Sequence, residues 1–114
     1  MSLVPPATFQ FYAQEYIKNY HDYLADSTKN RIFSASFGIS AMICTQILHL
    51  IDDIIQTNTS PKHLLWALLF LKHYNTVSHN ASIVGVDDKT YRKWTWKILK
   101  AIKSIDFLVS LNKK

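Results

Sequence analysis

The chain has 114 residues, of which 48% are hydrophobic and 13% aromatic, a composition that fits one domain with its own core and excludes intrinsic disorder. Its formal net charge is +5, but residues 61–114 carry ten basic side chains against three acidic ones, whereas residues 1–60 carry three against five. This uneven distribution is typical of a protein that binds a polyanion through one half of its chain.

Low glycine and proline contents favour helices over strands. Two glycines and three prolines leave few residues for hairpin turns. The single cysteine, Cys44, stands in an apolar run and is expected to be buried in a protein of a reducing compartment. The most apolar run, at 64–71, is far shorter than the roughly 20 residues of a membrane helix, and no secretory signal is visible. We therefore expect an all-α intracellular protein with no membrane span.

The first two predicted helices occupy the N-terminal third of the chain. The first covers about residues 8–24, with Thr8 as N-cap and aromatic side chains recurring three and four residues apart. The second begins with Asp26 or Ser27 as N-cap and ends at Gly38, because glycine is the usual residue after a helix C-terminus.

The third and fourth predicted helices form the centre of the chain. Ser40 opens the third helix. Ser60 caps the fourth helix, which has Pro61 at its first position and covers about residues 61–73. Because the fourth helix is apolar nearly all round, we expect it to be the buried centre of the domain. The apolar stripe expected on the third helix consists of Ile43, Ile47, Leu50, Ile51 and Ile54.

Two further elements, at about 76–84 and 87–105, have the pattern of a helix-turn-helix within residues 76–103. Such helices cross closely only with a small residue at their contact and a glycine in the turn. Asn80 departs from the pattern, which usually has an apolar residue at that position. The whole chain is thus predicted to be a compact bundle of five to six helices. The structural residues of the motif are Ala81, Val84, Gly85, Val86, Tyr91 and Trp94.

The last predicted helix has an apolar face and a cationic face. At about 100° per residue, Tyr91 and Trp94 project towards the core together with Ile98, Ile102 and Ile105. All six charged residues between positions 89 and 103 are basic, and they project to the opposite side. No glutamate stands four residues away to form the pairs that support solvated helices. A solvated lysine face is the alternative, but the position in a helix-turn-helix favours the major groove of DNA.

Position along this helix separates the expected roles. Asp87 is expected to be the N-cap, whereas Asp88 would repel phosphates unless it accepts from a cytosine amino group. Arg92, near the helix start, suits bidentate contact with guanine, and the later lysines suit phosphates. Trp96 is expected to pack against the N-terminal helices or to touch the DNA backbone. The predicted DNA-binding set is Lys89, Thr90, Arg92, Lys93, Trp96, Lys97 and Lys100.

The sequence contains no positive sign of an enzyme. Asp52 and Asp53 are adjacent on a helix and point about 100° apart, so they cannot act as a carboxylate pair. The histidines are scattered, and one cysteine provides no metal cluster. We expect no catalytic residues, no metal, no cofactor and no small-molecule substrate.

Residues 31–103 resemble the helical N-terminal region of Harbinger-like and related DDE-superfamily transposases. The resemblance rests on "HLLWALLFLK" and "GVDDKTYRKW", and on an Arg-x-Phe…Phe-Gly-x-Ser pattern beginning at Arg31. In those transposases a helix-turn-helix binds the terminal repeats of the element, and a separate RNase H-like domain holds the catalytic carboxylates. The resemblance implies a nuclear protein that binds double-stranded DNA without cleaving it, because the sequence stops before a catalytic domain.

The resulting domain scheme treats the chain as one unit. An aromatic N-terminal helix (1–30) belongs to the same domain as the transposase-like DNA-binding region (31–105), and a basic tail follows (106–114). The alternative is a helical protein-interaction module left from a degenerate transposon copy, with the aromatic first helix as a dimer or partner surface.

Overall fold

The fold is all-α throughout the residues described by the computed structural model, which are 4–18, 20–21, 23–55, 59–73 and 76–112. The predicted helical class is therefore confirmed. The helices are α1 (Pro6–Tyr16), α2 (Asp26–Phe37), α3 (Ala41–Ile55), α4 (Pro61–His73), α5 (Val77–Val84) and α6 (Asp88–Asn112).

Helix α4 is the centre of the core, as predicted. Residues 64–69 are all buried, and each of the other five helices packs against α4. Pro61 is its first residue, where the missing N–H has no intrahelical partner to lose. A helix that is apolar nearly all round is stable in water only when neighbours cover every side, which is the position that α4 occupies.

Helix α1 is shorter than its aromatic periodicity predicts. It begins at Pro6, with Pro5 as N-cap, so the prediction of Thr8 as the cap is wrong. It ends at Tyr16 because Ile17 is extended, with φ −111° and ψ 117°. Tyr20 is nevertheless buried in the core outside the helix. Tertiary packing, rather than helical spacing, therefore places the second half of the aromatic segment.

Most of that aromatic segment faces the core and is not available as a partner surface. Phe9 is fully buried and Tyr20 is 2% exposed, while Tyr16 is half-buried against α4. Among the described aromatic residues of this segment, Phe11 and Tyr23 are the strongly exposed ones, at 60% and 82%. The first helix therefore offers a narrower surface for a dimer or partner than the sequence implied.

Helix α2 ends where predicted but begins differently. Gly38 has φ +86° and its N–H donates to the Ser34 carbonyl, which closes the helix in the left-handed conformation that glycine favours. The N-cap is Ala25, without a side-chain hydrogen bond, so neither Asp26 nor Ser27 caps the helix. Asp26 instead lies in the first turn, where a carboxylate is favoured by the helix dipole.

Helix α3 buries a different stripe from the one predicted. The Ser40 hydroxyl accepts from the Ile43 N–H at 3.2 Å, so the predicted start is confirmed. Ile43 and Leu50, however, are 43% and 45% exposed, and Ile47 is only half-buried, while Ile51 is fully buried. The side chain of Ile54 lies outside the described residues. The stripe that faces the core is Ala41, Cys44, Leu48 and Ile51.

Small side chains explain this register. Ala41 and Cys44 let α3 approach its neighbours closely, and α3 packs mainly against α1 and α6. Cys44 is fully buried, as expected from the sequence, and burial raises the pKa of its thiol to about 12.

Within the described residues no single helix has the length and apolar composition to cross a membrane. Among these residues, helix α2 and the segment Ala41–Asp53 have that length and composition only when they are taken together, and the pair is bent by 50°.

Candidate nucleic-acid interface

Helices α5 and α6 are joined by a tight turn at Gly85. The Thr76 hydroxyl caps α5 by accepting from the His79 N–H at 3.1 Å. At the other end Gly85 has φ +77°, and the N–H groups of Gly85 and Val86 both donate to the Ala81 carbonyl, at 2.9 and 3.0 Å. Ala81 is 1% exposed, so the small residue lies at the contact as predicted.

Two neighbouring carboxylates secure the start of α6. Asp87 is the N-cap: its carboxylate accepts from the Thr90 N–H at 2.7 Å, and hydrogen bonding to the side chain and N–H of Thr90 lowers its pKa. Asp88 accepts from the Ser78 hydroxyl at 2.5 Å, which links α6 back to α5. This structural role of Asp88 was not apparent from the sequence. Thr90, placed in the DNA-binding set, directs its hydrogen bonds to Asp87.

Tyr91 fixes α6 against α4. Its hydroxyl donates to the Trp66 carbonyl at 2.6 Å, and the two rings stack with centroids 5.9 Å apart. Burial raises the pKa of the Tyr91 phenol to about 12, although the neighbouring polar side chains of Thr95 and Asn80 act in the opposite direction. The Trp66 indole N–H donates in turn to the Tyr16 hydroxyl at 3.1 Å, so these hydrogen bonds link α1, α4 and α6.

Two buried polar side chains lie near the contact between Tyr91 and Trp66. Asn80 and Thr95 are both 0% exposed and lie near the Tyr91 hydroxyl, whose pKa they lower. Neither the Asn80 amide nor the Thr95 hydroxyl completes a well-formed hydrogen bond among the described residues. Incomplete pairing of a buried polar group costs about 1–3 kcal/mol. Asn80 thus fills the buried position of the motif in spite of its polarity.

The core face of α6 is broader than predicted. Tyr91 and Ile98 are fully buried as expected, but Thr95 and Ala101 are buried as well. Trp94 and Ile102, both predicted to face the core, are only half-buried, and the side chain of Ile105 lies outside the described residues. A polar threonine and a small alanine escape a search for large apolar side chains, although they permit close helix packing.

The opposite side of α6 is an exposed row of cations, here called the basic face. None of its members lies within 4 Å of a carboxylate among the described residues, where the ion pairs found join Lys29 to Asp26 and His49 to Asp53. The predicted separation of the basic side chains from the core is therefore confirmed. The basic face consists of Lys89, Arg92, Lys93, Lys97, Lys100 and Lys103, all exposed.

Trp96 lies at the border of the basic face. It is 40% exposed and packs edge-on against Phe70 of α4, with ring centroids 5.0 Å apart. Its aromatic neighbour thus belongs to α4, a helix that was not among the partners predicted for Trp96. The exposed part of the indole remains beside the cations.

Trp94 forms an aromatic stack that the sequence did not reveal. The His63 ring stacks on the Trp94 indole, with ring centroids 4.2 Å apart and an interplanar angle of 11°. The ammonium groups of Lys93 and Lys97 lie 5.1 and 5.2 Å from the centre of the same indole. Burial, followed by the charges of Lys62 and Lys97, lowers the pKa of His63 to about 4.

The sequence alone predicts only part of this arrangement of His63, Trp94 and the two lysines. Lys93 and Lys97 flank Trp94 within one helical turn, a spacing that is visible in the sequence. The contact with His63 joins residues 31 positions apart and depends on how α4 and α6 cross. Helical periodicity carries no information about such a crossing.

The described part of the chain contains no cluster of side chains suited to a metal ion. No three His, Cys, Asp or Glu side chains come together there as metal ligands would. An open groove of about 260 Å³ has His73 in its lining, and the His73 ring hydrogen-bonds to the Ser36 carbonyl at 2.9 Å. The groove is lined by Tyr16, Ile17, Lys18, Ser36, Leu69, His73 and Ile83.

Comparisons with protein-family models, with curated proteins and with solved structures find no match. The interpretation of the basic face therefore rests on its own geometry and charge. The relevant features are the exposed row of cations on α6, the Asp87 cap at the start of that helix and the tight turn at Gly85 before it.

Replacing Gly85 with alanine should lower the free energy of unfolding by about 1–2 kcal/mol, because a β-carbon disfavours the left-handed conformation. Apart from Gly85 and its two chain neighbours, no heavy atom lies within 4 Å of the position that the new β-carbon would take, so the loss comes from the backbone and not from a clash. Gly85→Asn should lose less, since asparagine tolerates this conformation better. Urea denaturation measures both, and equal stability of the alanine variant and the natural protein would contradict the assignment.

Acidification should destabilise the fold through His63. Its pKa is about 4 in the folded protein and 6.5 in the reference state, so the unfolded chain takes up the proton first. The stabilising contribution is complete above pH 6.5 and is lost as the pH falls towards 4. His63→Phe keeps an aromatic ring and should flatten this part of the dependence of Tm on pH. The same slope in both proteins would exclude His63 as the cause.

Proposed function

We propose that this chain is a DNA-binding helix-turn-helix domain that holds duplex DNA through the basic face of α6. One observation carries the proposal: six exposed cations occupy one face of the helix, and none of them has a carboxylate within 4 Å among the described residues. The resemblance to transposase N-terminal regions supports the same function, with the terminal repeats of a transposable element as the class of target and the nucleus as the place of action.

The electrostatics of the basic face favour a polyanion. Lys89, Lys93 and Lys97 follow one another at four-residue spacing, where like charges destabilise a helix by about 0.2–0.5 kcal/mol per pair. Phosphate groups would relieve this repulsion. They would also release counterions from the DNA, a gain that weakens as salt increases. Affinity should therefore be strong at low salt and fall steeply at high salt.

The two ends of the basic face suit different contacts. Lys89, Arg92 and Lys93 lie in the first turns of α6, the part of a recognition helix that reaches base edges in the major groove. Arg92 suits bidentate contact with guanine. Lys97 and Lys100 lie further along, where contacts with phosphates set the register of the protein on the duplex.

Asp88 is less of an obstacle to this arrangement than its charge implies. Its carboxylate accepts a hydrogen bond from Ser78 of α5, so part of its charge is directed to the protein. The proposal concerns binding alone and assigns no catalytic step. In the transposases that the sequence resembles, strand cleavage belongs to a separate RNase H-like domain.

A second candidate function, a helical protein-interaction module, is favoured by the exposed side of α3. Met42 is 64% exposed, and Ile43 and Leu50 are nearly half exposed. Apolar side chains at such exposure are typical of a contact surface when they are grouped on one helix. Light scattering with and without duplex separates the candidates, because a dimer indifferent to DNA would favour this second function.

Replacing Arg92 and Lys93 together with alanine should weaken binding to a mixed-sequence duplex by about tenfold or more at moderate salt, because two cations near the groove are lost. Fluorescence anisotropy of a labelled duplex measures the affinity. Circular dichroism should show unchanged helicity and melting, since both side chains are exposed.

The matched control replaces Arg31 and Lys72 with alanine, which removes the same charge from exposed positions on α2 and α4. The control should bind nearly as tightly as the natural protein. Equal losses in the two double variants would mean that only net charge matters. Undiminished binding of the Arg92 and Lys93 variant would end the assignment of α6 as the recognition helix.

A further inference from the structure

The first turn of α4 adjoins the basic face, although it is distant from it in sequence. His63, in that turn, stacks on Trp94 of α6 with centroids 4.2 Å apart, and its other aromatic neighbour is Trp66, edge-on at 4.7 Å. This stack connects the start of α4 to the middle of the basic face. Lys62 precedes His63 and belongs to the same turn.

Two lysines lie over the Trp94 indole of this stack, and a third, Lys62, precedes His63 in the first turn of α4. The ammonium groups of Lys93 and Lys97 lie 5.1 and 5.2 Å from the centre of the Trp94 indole. Lys62 lies over the Tyr12 ring of α1 at 5.7 Å, and its charge, like that of Lys97, acts on His63. No carboxylate lies within 4 Å of these three cations among the described residues. Lysines of both α4 and α6 therefore contribute positive charge near the His63 ring.

The aromatic contacts of these lysines favour the binding of an anion. A lysine ammonium has three N–H donors, and a cation held over a ring retains donors for an anion because the ring face offers no acceptor atom. Ring contact also restricts the long side chains before binding, so less conformational entropy is lost when an anion is held. His63 is neutral at pH 7, since its pKa is about 4, and adds no further positive charge to the cluster.

We propose that Lys62 of α4 and Lys97 of α6 together hold one phosphate group of the DNA backbone beside the His63–Trp94 stack. This inference rests on the proposed function and extends its surface from one helix to two. A phosphate contact outside α6 has a distinct effect: it fixes the rotation of the protein about the axis of the recognition helix. Phosphate contacts of this kind set orientation without reading sequence.

The test compares two single substitutions in the same helix. Lys62→Gln removes the proposed contact, and Lys72→Gln removes an equal charge from an exposed position near the other end of α4. Anisotropy titrations of a mixed-sequence duplex at several salt concentrations give the dependence of log K on log salt. Lys62→Gln should reduce the magnitude of that slope by about one, whereas Lys72→Gln should leave it unchanged. Lys62→Arg, which keeps the charge, should retain the slope.

A double variant tests whether the two lysines share one phosphate. Lys62→Gln combined with Lys97→Gln should lose less affinity than the sum of the single losses, because the second substitution removes a contact that is already weakened. An additive loss would overturn the shared phosphate. Near-ultraviolet circular dichroism of the tryptophans, unchanged in each variant, confirms that the stack is intact.

The outcomes also separate this inference from the proposed function. An unchanged salt slope for Lys62→Gln, with binding still lost on replacing Arg92 and Lys93, would overturn the two-helix contact and leave α6 as the recognition helix. Failure of the natural protein to bind any duplex at low salt would overturn both.

Discussion

The contact between Trp66 of α4 and Tyr91 of α6 determines which side of the last helix faces solvent. The Tyr91 hydroxyl donates to the Trp66 carbonyl at 2.6 Å, the two rings stack, and both residues are buried. A buried hydroxyl has few alternative partners, so this bond fixes the rotation of α6 about its own axis. The basic face is exposed because this rotation places it opposite the core. Gly85 and Asp87, which end α5 and cap α6, set where that helix begins.

Electrostatic repulsion within the basic face is the cost of this arrangement. Its cations stand on one helix without ion pairs among the described residues, so they depend on solvent and counterions for compensation. His63 limits the cost: its folded-state pKa of about 4 keeps it uncharged beside Lys62 and Lys97 at neutral pH. Trp94 adds attraction through its ring. A surface of this kind remains compatible with a stable fold and stays available to an anionic partner.

Local rules account for the features that the sequence predicted well. The burial of α4, the left-handed glycines Gly38 and Gly85, the Asp87 cap and the exposure of the basic face depend on neighbours within a few residues. Non-local packing accounts for the failures. Helix α3 carries two possible apolar stripes, and the choice of the one with Ala41 and Cys44 depends on α1 and α6. The His63–Trp94 stack and the shortened α1 were inaccessible to periodicity for the same reason.

The central claim is that the basic face of α6 is the surface that meets duplex DNA. The most direct measurement is a titration of the ¹⁵N-labelled chain with a short mixed-sequence duplex, followed by heteronuclear NMR. The account predicts that the largest amide and arginine side-chain shift changes fall on residues 88–100, with smaller ones in the first turn of α4 and little change on the exposed side of α3. Changes centred on Met42, Ile43 and Leu50, or no change at low salt, would contradict it.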